Sequence, residues 1–406
     1  MSPVARVLTS LRLAVTGLAL AWHVTAPASW AQESPRITGD PIAGRRMFVE
    51  RGCVDCHSIW GNGGTLGPDF ALVGAGRSLQ QLAGLFWNHT PRMIETVRRR
   101  GVAWPTFTAD ELADFISYVY YVKLFDEPGS PELGERWFRE MRCRECHSLG
   151  GVGAAVGPAL DSYARYPAPI RLAQGMWNSG PAMRARLAAR GVPLPVFLGR
   201  EVADLQAYIR QASSLGSRDL RFLEPPDPNA GRRLFVTKSC VVCHGADGHG
   251  SEKGPPLHEI TQRRRVSEIA GLIWNHSGAM ATALEREGLA LPRFTGTEMA
   301  DVIAFLYYLR YYETGGDARE GERLFEAKGC ARCHARDGSP SVGPDLSQSD
   351  AASTLLGLAA AMWDHAPAMY DLIQTQRIEW PRFEGDEMRN LSIYLQRLSQ
   401  QKRAGQ

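Results

Sequence analysis

One pentad constrains this chain more than any other feature. Cys53-Val-Asp-Cys56-His57 recurs as Cys143-Arg-Glu-Cys146-His147, Cys240-Val-Val-Cys243-His244 and Cys330-Ala-Arg-Cys333-His334. The chain holds 8 cysteines, so the four pentads use them all. Two thiols three positions apart, followed at once by an imidazole, form the covalent attachment signature of a c-type haem. The thiols reach the two vinyl groups on one edge of the ring and form thioethers, and the adjacent imidazole sits under the ring as an iron ligand. A disulfide scaffold gives no reason for a histidine after each pair. Three neighbours this close wrap a single zinc ion poorly. The expected cofactors are four covalently attached haem c groups (iron). They are held by Cys53, Cys56, Cys143, Cys146, Cys240, Cys243, Cys330 and Cys333, with His57, His147, His244 and His334 as proximal ligands.

The pentads sit in an internal repeat. Their first cysteines are spaced 90, 97 and 90 residues apart, and the extra residues fall in the stretch from Ser213 to Pro228. Each repeat opens nine residues before its first cysteine with Gly44, Gly134, Gly231 or Gly321, followed four positions later by Phe48, Phe138, Phe235 or Phe325. This reads as a short helix whose glycine permits a close helix crossing and whose phenylalanine is a buried anchor. A glycine-rich loop then ends in Gly67-Pro68, Gly157-Pro158, Gly254-Pro255 or Gly343-Pro344. A helical pattern from about Ser78 runs into Trp87-Asn-His-Thr-Pro-Arg-Met93, with equivalents Trp177 to Met183, Trp274 to Met280 and Trp363 to Met369. Eleven residues after each methionine comes Trp104, Leu194, Leu291 or Trp380, then a proline, and then, after one more residue, Phe107, Phe197, Phe294 or Phe383. A rigid break is expected there. The repeat closes with an amphipathic helix, the first from Asp110 to about Val122, whose Tyr118, Tyr208, Phe305 and Tyr394 are expected to pack on the opening phenylalanines.

This order of features resembles the class I cytochrome c family. Cys53, Cys56, His57, Pro68 and Met93 match its functional positions in order, as do their counterparts in the other repeats, over about Pro41 to Arg397. The resemblance implies an all-α fold: four tandem class I cytochrome c-like domains, each a small helical bundle around a covalently attached haem. The expected division is a signal peptide at 1–31, cytochrome domains at 41–123, 131–212, 228–313 and 318–398, and a linker at 213–227. The longer central linker suggests two halves, with the first two domains packed as one pair and the last two as another. A string of four independent beads is the alternative. The familiar single-domain members present their methionine from a loop, whereas here it falls at or inside a helix start.

The resemblance gives each iron a histidine and a methionine. Met93, Met183 and Met280 lie 36 residues after their haem histidine, and Met369 lies 35 after His334, where one loop residue is missing. These four are the distal ligands expected, with core packing as the plainer role for a thioether. The rival is the histidine four positions earlier: His89, His276 and His365. The second repeat has Ser179 there yet keeps its methionine. Met47, Met176, Met299, Met362 and Met388 read as core or surface residues. Trp87, Trp177, Trp274 and Trp363 read as haem-pocket walls, as propionate donors or as plain core.

Arg6 and Arg12 precede an apolar run from Leu13 to Trp22, and Ser29-Trp30-Ala31 fits a cleavage site, so the N-terminus reads as a secretory signal peptide. The run falls short of the roughly 20 residues that span a bilayer. The expected location is periplasmic, soluble or peripherally membrane-associated. The formal charge of +3 leaves no nucleic-acid footprint. An iron with both axial positions filled offers no open site to a substrate, and methionine raises its potential relative to a second histidine. The chain therefore reads as an electron carrier and not an enzyme, passing electrons between donor and acceptor proteins, one candidate being a membrane-associated oxidoreductase complex. The alternatives are a relay subunit of a larger oxidoreductase and, further off, a haem enzyme such as a peroxidase.

Overall fold

A computed structural model of the chain describes residues 39–72, 78–166, 168–215, 225–246, 248–309 and 315–404. The expected signal peptide at 1–31, most of the expected 213–227 linker and the segment 310–314 lie outside the described residues. The first repeat contains α1 (Pro41–Glu50), α2 (Leu79–Arg100) and α3 (Ala109–Tyr121), and the second contains α4 (Pro131–Glu140), α5 (Pro169–Ala189) and α6 (Glu201–Ala212). The third has α7 (Pro228–Thr237), α8 (Val241–His244), α9 (Leu257–Arg263), α10 (Val266–Arg286) and α11 (Glu298–Tyr308). The fourth has α12 (Ala318–Ala327), α13 (Leu355–Thr375) and α14 (Glu387–Ala404). Among the described residues, strand is confined to two-residue hairpins after the first two pentads. Among the described residues no helix is long and apolar enough to cross a membrane.

Each opening helix starts at a residue built to cap it. Asp40, Ser130, Asp227 and Asp317 accept a hydrogen bond from a backbone N–H of the first turn, and in the first three repeats proline follows at once. The opening helix then crosses the closing helix at backbone contact. A Cβ on Gly44 would run into the carbonyl of Asp114, and Gly134, Gly231 and Gly321 stand in the same relation to Asp204, Asp301 and Asn390. The expected aromatic pair seals the crossing in every repeat. Ring centroids lie 5.8 Å apart for Phe48–Tyr118, 5.6 Å for Phe138–Tyr208, 5.4 Å for Phe235–Phe305 and 5.8 Å for Phe325–Tyr394. Burial of each phenylalanine contributes about 1.5–3 kcal/mol.

A further tie was not anticipated. The side chains of Asp114, Asp204, Asp301 and Asn390 accept from the backbone N–H of the opening cap residue, at 2.6, 2.9, 2.9 and 2.9 Å. The signal was present in the sequence as an acid or amide four positions before each closing aromatic.

The long middle helices carry the methionines, but not at their starts. The first runs unbroken from its Ser78–Gln81 capping box to Gly101 and holds Met93 deep in its interior, two residues after Pro91. The others hold Met183, Met280 and Met369 likewise. Extended chain follows each helix, as the Trp-Pro and Leu-Pro positions require.

These helices pack in pairs, and the pairing is not the one expected. α2 packs on α13, joining repeats one and four, while α5 packs on α10, joining two and three. The repeated tryptophan is the hook. Its indole N–H donates to the carbonyl of the Pro in the partner repeat: Trp87 to Pro381 (2.6 Å), Trp363 to Pro105 (2.6 Å), Trp177 to Pro292 (2.7 Å) and Trp274 to Pro195 (2.7 Å). The next residue completes the clasp. Asn88, Asn178 and Asn275 each pair with both N–H and C=O of Phe383, Phe294 and Phe197. Asp364 accepts from Phe107 N–H at 2.9 Å.

The two pairs meet where Tyr120 faces Tyr308 at 4.7 Å and the Tyr308 hydroxyl donates to Ser117 O. Asp126 and Glu127, just after the first repeat, also receive Ser267 N–H and Arg265 from the start of α10.

Candidate haem centres

The residue before each first cysteine turns the chain into the left-handed region. Gly52 and Gly329 do this freely, at φ 70° and 80°, whereas Arg142 and Ser239 do it at φ 61° and 64° against the usual preference of a side chain. The pentad then coils through one tight turn. The N–H of His57, His147, His244 and His334 donates to the carbonyl of its first cysteine at 2.9–3.0 Å. This sets the imidazole one turn below the thiols.

The Gly-Pro loop orients that imidazole. Gly67 sits so close that a Cβ there would strike the His57 ring, and Gly157 and Gly343 lie likewise against His147 and His334. The proline carbonyl then takes the hydrogen bond of Nδ1: His57 to Pro68 at 2.9 Å, His147 to Pro158 at 2.8 Å, His244 to Pro255 at 3.0 Å and His334 to Pro344 at 3.1 Å. A carbonyl only accepts, so Nδ1 carries the proton and Nε2 keeps its lone pair free to ligate. Burial holds His57 below the ordinary imidazole range, which keeps it neutral at pH 7. Burial also pushes the first thiol of every pair, Cys53, Cys143, Cys240 and Cys330, up to about 11.

The second repeat shows how the parts converge. An apolar cleft, with about 640 Å³ of empty space partly open to solvent, is lined by Cys143, His147 and Met183 together with Pro195 and Phe197. Cys143 thiol, His147 imidazole and Met183 thioether thus share one cavity of mostly apolar walls, which Ser179, the counterpart of His89, His276 and His365, also lines, and this fits a haem held from two sides. Met176, read from the sequence as core or surface, and Tyr163, not singled out at all, also line it. Met93, Met280 and Met369 are half-buried against apolar clusters beside the clasps.

The rival histidines differ among themselves. His276 and His365 are exposed, and their Nδ1 bonds back to Leu272 O and Ala361 O of their own helices at 2.9 and 2.8 Å. His89 instead faces His57, ring centroids 6.2 Å apart, and burial, then the nearby His57 and Arg92, depress its pKa. His57 also stacks on Phe70 at 4.6 Å, a contact special to the first repeat, where the equivalent positions elsewhere are leucines. The recurrent tryptophans spend their N–H groups on the clasps. Trp104 and Trp380 donate to Trp363 O and Trp87 O at 3.1 and 3.2 Å.

Residues 228–310, most of the third repeat, match the family model for Cytochrome c, which supports a haem-based electron carrier. A comparison with curated proteins and one with solved structures each give no match.

Proposed function

We propose that the chain is a periplasmic tetrahaem c-type cytochrome that carries electrons by reversible Fe(II)/Fe(III) cycling. In this reading its four repeats, 41–123, 131–212, 228–313 and 318–398, are class I cytochrome c-like domains. The observation that carries the reading is fourfold: every proximal histidine has Nδ1 tied to a proline carbonyl, leaving Nε2 for iron. The cleft gathering Cys143, His147 and Met183 would hold the haem of the second repeat between thiol, imidazole and thioether. The haem supplies the one-electron couple. The chain's own residues fix the ring edge through two thioethers, orient the imidazole and wall the iron from water. Met93, Met183, Met280 and Met369 serve as distal ligands, so no iron is open to a substrate and the role is carriage, not catalysis. The apolar run from Leu13 to Trp22 behind Arg6 and Arg12 supports export. Donor and acceptor proteins are the partners.

The test is an intact mass and a quantified far-red spectrum of the oxidised holoprotein. Four haem additions and a charge-transfer band of iron–methionine ligation equivalent to four haems are expected. Fewer additions, or high-spin features with a haem's worth of that band missing, would overturn the assignment.

A further inference from the structure

One clasp does more than join repeats, because the backbone it grips is also wall of the second repeat's cleft. Pro195 and Phe197 line the second repeat's cleft beside His147 and Met183. Both are held from the third repeat: Trp274 donates to Pro195 O at 2.7 Å, and Asn275 pairs with Phe197 N–H and C=O at 3.1 and 2.6 Å. Gly271, one turn earlier on α10, leaves room for Phe197, whose Cβ would lie 2.8 Å from any Cβ at that position. The second repeat's own Trp177 and Asn178 are turned instead to Pro292 and Phe294 of the third.

We propose that Trp274 and Asn275 are positioning residues for the haem of the second repeat, so that the ligand sphere of that haem is set partly by another repeat. The inference rests on the tetrahaem reading above. The bare amide clasp fixes two backbone groups at once, and a wall that moved by a fraction of an ångström would change the packing and water access around the Met183 side of the iron. Such changes tune a haem's potential without touching a ligand.

The experiment uses the reduced, full-length holoprotein and reads the upfield NMR methyl signals of iron-bound methionines, with redox titration of each. Met183→His identifies the second repeat's signal by deleting it. In Asn275→Ala that signal is expected to shift or broaden and its haem's midpoint potential to move, while the signals of the first and fourth repeats stay in place. Asn275→Asp, which keeps the acceptor for Phe197 N–H, should give a smaller change of the same kind and serves if the alanine variant does not fold. A Met183 signal and potential that stay fixed in both variants, or a change confined to the third repeat's haem, would overturn the inference while leaving the tetrahaem reading intact. Absence of any Met183-dependent signal in the parent protein would instead overturn the ligand assignment, and the inference with it.

Discussion

The two clasps share a plan and differ in chemistry. In the pair formed by repeats one and four, four indoles are stacked two by two: Trp87 on Trp380 with centroids 4.3 Å apart, and Trp104 on Trp363 at 4.6 Å. In the pair formed by two and three, the outer partner of each tryptophan is a leucine, Leu291 beside Trp177 and Leu194 beside Trp274. The prolines explain why the outer indoles find acceptors. Pro91 and Pro367 lie inside α2 and α13 and have no N–H, so the carbonyls one turn earlier, those of Trp87 and Trp363, lose their helical donor. Those are the carbonyls that Trp380 and Trp104 bond. A helix defect in one repeat is repaired by a side chain from another. In the third repeat the position is Gly278, which has an N–H to give, and the Trp274 carbonyl also takes the Ser277 hydroxyl at 2.7 Å. An indole opposite would there have nothing to satisfy.

Five changes would break or sharpen that contrast. Truncating Trp274, 1 % exposed and without a second indole to share its load, should cost most. Trp274→Ala is expected to lower stability by about 3–5 kcal/mol, read by denaturant titration of the holoprotein. Next is an asymmetry between two additions. Leu194→Trp faces a carbonyl already served and should cost about 1–3 kcal/mol through overpacking. Leu291→Trp faces the carbonyl freed by Pro181 and should cost clearly less; equal losses would refute the proline argument. Converting the outer indole the other way, Trp380→Leu, removes one stack and one hydrogen bond and should destabilise by about 1–2 kcal/mol, seen as a lower unfolding midpoint.

The smallest effect is at the rim, where exposed Arg98 and Asp371 pair at 2.7 Å. Arg98, through its hydrogen bond, holds Asp371 below the ordinary carboxylate value of 3.8. A depressed folded pKa means that the pair's contribution is present above the unfolded value and fades as pH falls through the folded one. A slight stability difference between the parent and Asp371→Asn at pH 7 should therefore vanish in acid; one that grew in acid would contradict the pairing.

Much of this was legible in the sequence. The pentads, the glycine and phenylalanine of each opening helix, the capped start at Ser78 and the closing aromatics follow from local rules of sterics and periodicity, and the structure shows those helices and crossings. Pairing was not local. Equal spacings and a long central linker argued for neighbours in sequence, yet chain length says little about which copy of a repeated hook meets which copy of a repeated eye. The cue was there in another form. Positions 104, 194, 291 and 380 read Trp, Leu, Leu, Trp, so the outer two repeats resemble each other and the inner two resemble each other. The methionines were expected at or inside a helix start, whereas they lie deep in helices that in three repeats contain a proline two residues earlier. Tertiary donors instead satisfy two of the freed carbonyls and the helix runs on.

The nesting of the pairs also sets an order of assembly. Trp87 reaches Pro381 across 294 positions, and Trp274 reaches Pro195 across 79. During synthesis the inner pair has all its parts once the third repeat is made. The outer pair waits for the last: the clasp on Trp87 has no partner until Pro381 and Phe383 emerge. The repeat made first is thus the last to be closed, and a chain cut short before its final repeat leaves an open hook at its beginning as well as a missing module at its end.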